Sequence, residues 1–160
     1  MGIGLGIARI LVQEGAKVAL FDSDERLIEA VREVQGSAAF KVDIRDADAV
    51  MNATRDVAAE FGQIDILVNS VGVLRAVPFL EMSREVSDLH IDVNLKGTWK
   101  CCQSDLPHML ERTCGRIINL SSVTGTQVAD PGQTAYGLTK AGTWGSPTGS
   151  PSSSRVRAAM

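Results

Sequence analysis

The fold is decided by Arg116-Ile117-Ile118-Asn119-Leu120-Ser121-Ser122, followed by Tyr136-Gly137-Leu138-Thr139-Lys140. The first segment reads as a short buried strand that ends in a serine pair. The second places a phenol and an ammonium four residues apart, on one side of a helix. A free tyrosine titrates near ~10, too high for a general base at neutral pH. A neighbouring ammonium favours the phenolate and makes proton exchange with a substrate oxygen feasible. A serine at the carboxyl end of the strand can hold that oxygen, because ligands of open α/β sheets bind there.

On the amino-terminal side, short apolar strands alternate with longer helical stretches. That pattern argues for parallel βαβ units and an α/β fold. Ile7, Ile10, Leu11 and Glu14 fall on a helix that ends near Gly15. A strand over Lys17–Phe21 stops at Asp22-Ser23-Asp24, and a helix follows over Glu25–Val34. Gly36 ends that helix, and Ala38–Val42 is the next strand. Asp46 caps a helix that runs to Phe61, with Gly62 at its C′ position. Ile64–Val68 is a continuous apolar run, as a strand covered on both faces requires. One long helix is expected over Arg84–Leu110, with Pro107 bending or tightening its last turns.

Bulk properties exclude several classes. The 160 residues make one domain's worth of chain, and the net charge of −3 gives no electrostatic footprint for nucleic acid. No apolar run is long enough to span a bilayer, and the first residues do not form a secretory signal. Three cysteines, two of them adjacent, neither close a disulfide set nor show metal-ligand spacing. Reduced thiols with a packing role, in a cytoplasmic protein without a metal, are the plain expectation. His90 and His108 are read as exposed helix residues without chemistry. A P-loop phosphotransferase fails because no Gly-x-x-x-x-Gly-Lys-Ser/Thr sequence is present.

In order along the chain, Gly2-Ile3-Gly4, Asp22, Asp43, Asn69-Ser70-Val71-Gly72, Asn94, Ser122, Tyr136 and Lys140 resemble the motifs of the short-chain dehydrogenase/reductases. The similarity covers roughly residues 2–142. Within the family, the region after Ser121-Ser122 resembles bacterial oxoacyl-carrier-protein-reductase-like or sugar/polyol dehydrogenases. The resemblance implies a Rossmann-type doubly wound parallel sheet and NAD-dependent interconversion of an alcohol and a carbonyl. Tyr136 is then the general acid/base. Lys140 supports it and holds the nicotinamide ribose. Ser122, preferred over Ser121, fixes the substrate oxygen, and Asn94 helps hold a proton-relay water.

The same resemblance assigns the cofactor contacts. Gly2, Ile3 and Gly4 approach the pyrophosphate at a helix N-terminus. Asp22 accepts from the adenosine ribose hydroxyls and would repel a 2′-phosphate, favouring NAD over NADP. Asp43 and Ile44 meet the adenine edge. Asn69 and Gly72 match the family's Asn-Asn-Ala-Gly, whereas Ser70 and Val71 depart from it. Alternatively, Asn69 holds the sheet edge through backbone hydrogen bonds.

Both ends depart from the family pattern. The strand expected before Gly2, central in the family sheet, is absent, which leaves two neighbouring strands short of a partner. The residues after Gly142 lose helical periodicity. Positions 1–142 therefore read as a partial dinucleotide-binding domain with the catalytic motifs. Positions 143–160 read as a disordered tail, expected to arise from a frameshift. Read one nucleotide earlier, Trp144–Arg155 can encode Val-Gly-Leu-Thr-x-x-Leu-Ala-Val-Glu-Phe-Ala, the family's usual continuation. Family members pair through the long helix and the tyrosine-bearing helix, and the second is broken off here. Two classes therefore compete: an alcohol/carbonyl oxidoreductase, and an inactive fragment or pseudoenzyme acting at most as a weak nucleotide-binding or interaction module.

Overall fold

The computed structural model describes residues 2–145 and 156–159. Its contacts divide the chain into two compact units, residues 1–64 and 65–160.

The first unit contains α1 (Ile3–Gln13), β1 (Val18–Asp22), α2 (Leu27–Glu33), β2 (Ser37–Lys41) and α3 (Ala47–Phe61). β1 and β2 run parallel, with Val18 opposite Ser37 and Asp22 opposite Lys41. Parallel strands need a crossover, and α2 supplies it. Leu27, Ala30, Val34, Val42, Ile44, Val50 and Val57 are buried and form the core, and Phe21 meets Phe40 in a tilted ring contact. α3 begins and ends where the sequence indicates. The Asp46 carboxylate accepts from the amides of Asp48 and Ala49, both at 3.0 Å, and Gly62 closes the helix. α2 starts later than expected, because Asp24 accepts from the amide of Arg26 and holds the first residues in a turn.

The second unit contains β3 (Ile66–Asn69), α4 (Arg84–His90), α5 (Thr98–Glu111), β4 (Gly115–Asn119), α6 (Thr134–Gly145) and β5 (Val156–Ala159). The strand order is β3-β4-β5, all parallel. Met109, Ile117, Cys101, Cys102 and Val93 lie in its core.

Three expectations change here. The long helix is not uniform, since Ile91–Gly97 form a wide π-helical segment between α4 and α5. Ile66 is 46% exposed, so the Ile64–Val68 run is not covered on both faces within its unit. The helix that carries Tyr136 continues to Gly145, past the boundary expected at Gly142, and Val156–Ala159 pair with β4. The open side of β4 presents backbone donors and acceptors, and pairing with them needs no particular side chains. The rest of the expected tail, 146–155, lies outside the described residues.

The fold is an incomplete Rossmann-type α/β arrangement. Among the described residues, β1 and β3 each pair on one side only. No helix among them is long and apolar enough to cross a membrane.

Candidate active site

β3 and β4 end in the same residue type in register, Asn69 opposite Asn119. Both are buried, and Asn69 Nδ2 donates to Asn119 Oδ1 at 2.8 Å and to Cys102 Sγ at 3.4 Å. The Asn69 carbonyl accepts from the amide of Leu120 at 2.9 Å. Asn69 thus ties the carboxyl ends of the two strands together by side chain as well as backbone. Burial pushes the Cys102 thiol up to about 11 and the Cys101 thiol up to about 12, which holds both as neutral thiols at neutral pH.

Asn94 lies in the π-helical segment and is fully buried. Its Oδ1 accepts from the amide of Val73 at 2.7 Å, and its Nδ2 donates to Val73 O at 3.0 Å and Thr139 Oγ1 at 3.1 Å. Its carbonyl accepts from the hydroxyl of Thr98 at 2.8 Å and from that of Thr143 at 3.4 Å. Two threonine hydroxyls thus converge on one carbonyl of the π-helical segment. Asn94 therefore joins the β3–α4 segment, the long helix and α6.

Lys140 is 6% exposed, and its Nζ donates to the carbonyl of Leu120, just past β4, at 2.7 Å. Burial holds its ammonium below the ordinary lysine range. The Nζ lies 5.9 Å from the centroid of the Tyr136 ring. A side chain at Gly72 would fill this space, since a Cβ there would stand 3.3 Å from Lys140 Nζ and 3.6 Å from Asn94 Oδ1. The fold thus brings Asn94 and Gly72 to the Tyr136–Lys140 pair that helical spacing sets side by side.

The two serines after β4 take different roles. Ser121 Oγ donates to the carbonyl of Lys140 at 2.8 Å and pins the strand end to α6. Ser122 Oγ accepts from the amide of Thr124 at 3.2 Å, which leaves its O–H to donate elsewhere. The following loop is pressed onto α6 at Gly125. A Cβ there would stand 2.0 Å from the carbonyl oxygen of Gly137, and its φ of +91° already favours glycine. The hydroxyl of buried Thr124 donates to Asp130 at 2.8 Å and braces the loop from within.

In the first unit the assigned contacts sit on strand ends and turns. Asp22 ends β1 and accepts from the amide of Asp24 at 3.0 Å. Asp43 accepts from Arg45, both from its amide and from its guanidinium in a bidentate pair. Ile44 is buried. Gly2 stands at the N-cap of α1 with φ +72°, and no side chain caps that helix.

His90 is overturned as an exposed residue. It is fully buried, with Nδ1 2.7 Å from Val86 O and Nε2 3.1 Å from the amide of Arg75. His108 is half-buried.

A family model described as short chain dehydrogenase matches residues 1–146. The chain belongs to this family. The oxidoreductase UcpA of Salmonella typhimurium is 46% identical over 144 residues, covering 88% of this chain and 55% of that protein. The 3-oxoacyl-[acyl-carrier-protein] reductase FabG of Staphylococcus aureus is 41% identical over 150 residues, covering 90% of this chain and 61% of that protein. The crystal structure of serine dehydrogenase from Escherichia coli superposes with a TM-score of 0.82 at 34% identity, covering 88% of this chain and 66% of that one. The chain thus spans little more than half the length of the curated relatives it matches.

As a short-chain dehydrogenase the chain carries features that fit a dinucleotide, each within its own unit. The α1 N-terminus offers backbone donors that no side chain caps, next to exposed glycine. Gly72 keeps open the space beside the Lys140 ammonium. Asn119 was missed as the partner of Asn69, and His90 as a buried anchor of the segment that follows β3. The signal for Asn119 is the repeated apolar-Asn ending of Val68-Asn69 and Ile118-Asn119, since a polar residue at the end of a buried strand needs a partner.

Proposed function

We propose that this short-chain dehydrogenase is an NAD(P)-dependent oxidoreductase that interconverts an alcohol and a carbonyl, with Tyr136 as general acid/base. One observation carries the reading. Lys140 is buried, anchored to the end of β4, and placed one helical turn from Tyr136. A buried ammonium beside a phenol favours the negative charge that develops on the phenol oxygen as a proton moves. In the oxidation direction Tyr136 takes the hydroxyl proton, and in reduction it returns it. Ser122, whose O–H is left to donate, orients the substrate oxygen. Asn94 holds the segment that carries Gly72 and supports the proton relay.

When bound, the dinucleotide supplies hydride acceptance or donation. Gly2, Ile3 and Gly4 would hold its pyrophosphate, Asp22 its adenosine ribose, Asp43 and Ile44 its adenine, and Lys140 and Gly72 its nicotinamide half. Asn69 supports the site by tying the strand ends. An adenine contact at Asp43 requires that the carboxylate exchange its pairing with Arg45. The carboxylate at Asp22 favours NAD over NADP. The names of the relatives suggest trial substrates, a 3-oxoacyl group for reduction and serine for oxidation. Exposed Trp99, Leu138 and Trp144 on α5 and α6 support pairing with a second copy through these helices.

Tyr136→Phe tests the mechanism. Turnover is expected to fall by about 10²–10⁴, while NADH binding, followed by fluorescence, keeps its affinity. Turnover retained in this variant removes the tyrosine from the chemistry. A second reading, a catalytically silent nucleotide-binding module, is favoured by the one-sided pairing of β1 and β3 among the described residues. NADH fluorescence enhancement without oxidation or reduction of any trial substrate supports that alternative.

A further inference from the structure

The segment between β3 and α4 carries Gly72 and has no regular structure from Ser70 to Pro78. Its alternate amides are each anchored on a different element. Val73 N–H donates to Asn94 Oδ1 at 2.7 Å, Arg75 N–H to His90 Nε2 at 3.1 Å, and Val77 N–H to Gly132 O at 2.9 Å. A period of two is that of an extended chain, so one edge of this segment is bonded much as a strand would be. The outer anchors adjoin the site: Asn94 bonds Thr139 and abuts Gly72, and Gly132 lies just ahead of α6. His90 is the middle anchor.

The ring's partners fix its protonation pattern. Val86 O can only accept, so Nδ1 carries a proton, and the Arg75 amide can only donate, so Nε2 carries none. Both ring nitrogens are committed to backbone groups, and the ring has no free atom for chemistry on a substrate.

We propose that His90 is a positioning residue for the Lys140 site. As the neutral Nδ1–H tautomer it fixes the middle of the Val73–Val77 segment, so that Gly72 stays beside the Lys140 ammonium and keeps that space open. This rests on the reading of Tyr136 and Lys140 as the proton-transfer pair. A histidine that merely filled space would be replaced equally well by any side chain of similar size. The anchoring role instead requires an acceptor where Nε2 stands, which a leucine lacks and a glutamine Oε1 can supply.

The test compares His90→Leu with His90→Gln by amide hydrogen exchange and by amine labelling of Lys140 read by mass spectrometry. In the leucine variant the Arg75 amide should exchange about tenfold faster or more, and Lys140 should label faster. The Met109 and Ile117 amides should stay as in the parent. The glutamine variant should restore both signals. Unchanged Arg75 exchange in His90→Leu, or equal exchange in the two variants, overturns the proposal. If the leucine variant does not fold, nitrogen NMR of the parent ring decides: Nδ1–H supports the anchor, and Nε2–H removes it. None of these readouts needs turnover. A chain inactive on every alcohol therefore counts against the role of Tyr136 while leaving the His90 result to stand or fall separately.

Discussion

Asn94, in the unit that begins at Asp65, is fully buried, and its side chain bonds Val73 and Thr139. Asp22, in the unit before it, is half-buried at a strand end, and its carboxylate is met by the amide of Asp24 two residues on. The contrast extends to their neighbours. Lys140, Asn69 and Asn119 are buried and bonded across elements, whereas the Asp43–Arg45 and Asp24–Arg26 pairs are local and largely exposed. In the second unit two of the candidate catalytic groups, Asn94 and Lys140, also hold elements together. In the first, the carboxylates of Asp22 and Asp43 accept from residues two positions on, although Ile44 beside them is part of the core. Substitutions should therefore lose stability and function together in one unit and separate them in the other.

The severest test of that contrast is Gly125→Ala. The added methyl group meets the Gly137 carbonyl at an impossible distance, on a backbone that disfavours side chains. A loss of about 3 kcal/mol or more is expected, read as lost exchange protection at the Met109 and Ile117 amides. Asn94→Leu comes next. It leaves both backbone groups of Val73 without their partner and should cost about 2–3 kcal/mol, with any turnover lost as well. If urea denaturation showed Asn94→Leu to be as stable as the parent, the claim that site and scaffold coincide would be wrong. Asp22→Asn should do the reverse. NAD affinity should drop about tenfold and discrimination against NADP should narrow, with stability changed by no more than about 0.5 kcal/mol.

The smallest effect is a pH slope. Burial lowers the folded-state pKa of Lys140, so the cost of its buried charge is present at neutral pH. Between the folded value and the ordinary 10.5 the unfolded chain binds more protons, and stability rises with pH. Raised thiol values at Cys101 and Cys102 act in the opposite direction above about 9.0, because the unfolded chain releases those protons first. The lysine contribution is thus seen as the difference between the parent and Lys140→Met in denaturation curves across that range. A difference that does not change with pH would contradict the burial effect.

Much of this was legible from sequence because it is local. The strand over 115–119, the serine pair and the Tyr136–Lys140 spacing lie close together, and helical periodicity alone places the phenol beside the ammonium. The Asp46 cap and the Gly62 stop were equally readable, because capping is written into adjacent residues. His90 was not, because its partners are backbone groups of Val86 and Arg75, which leave no trace in residue identity. The π-helical segment was hidden for a related reason. No residue type within Ile91–Gly97 announces the wider turn, which is a property of the backbone alone. The pairing of Asn69 with Asn119 spans fifty positions and needed the strand register to be seen.

The seating of Gly125 on Gly137 has an evolutionary corollary. Where two main chains touch, there is no side chain for gradual substitution to enlarge or trim, so single substitutions cannot adjust the distance between the serine and tyrosine segments. Length changes fit best among the exposed residues beside this contact, provided that Asp130 and Val128 keep their bonds to Thr124 and Gly125.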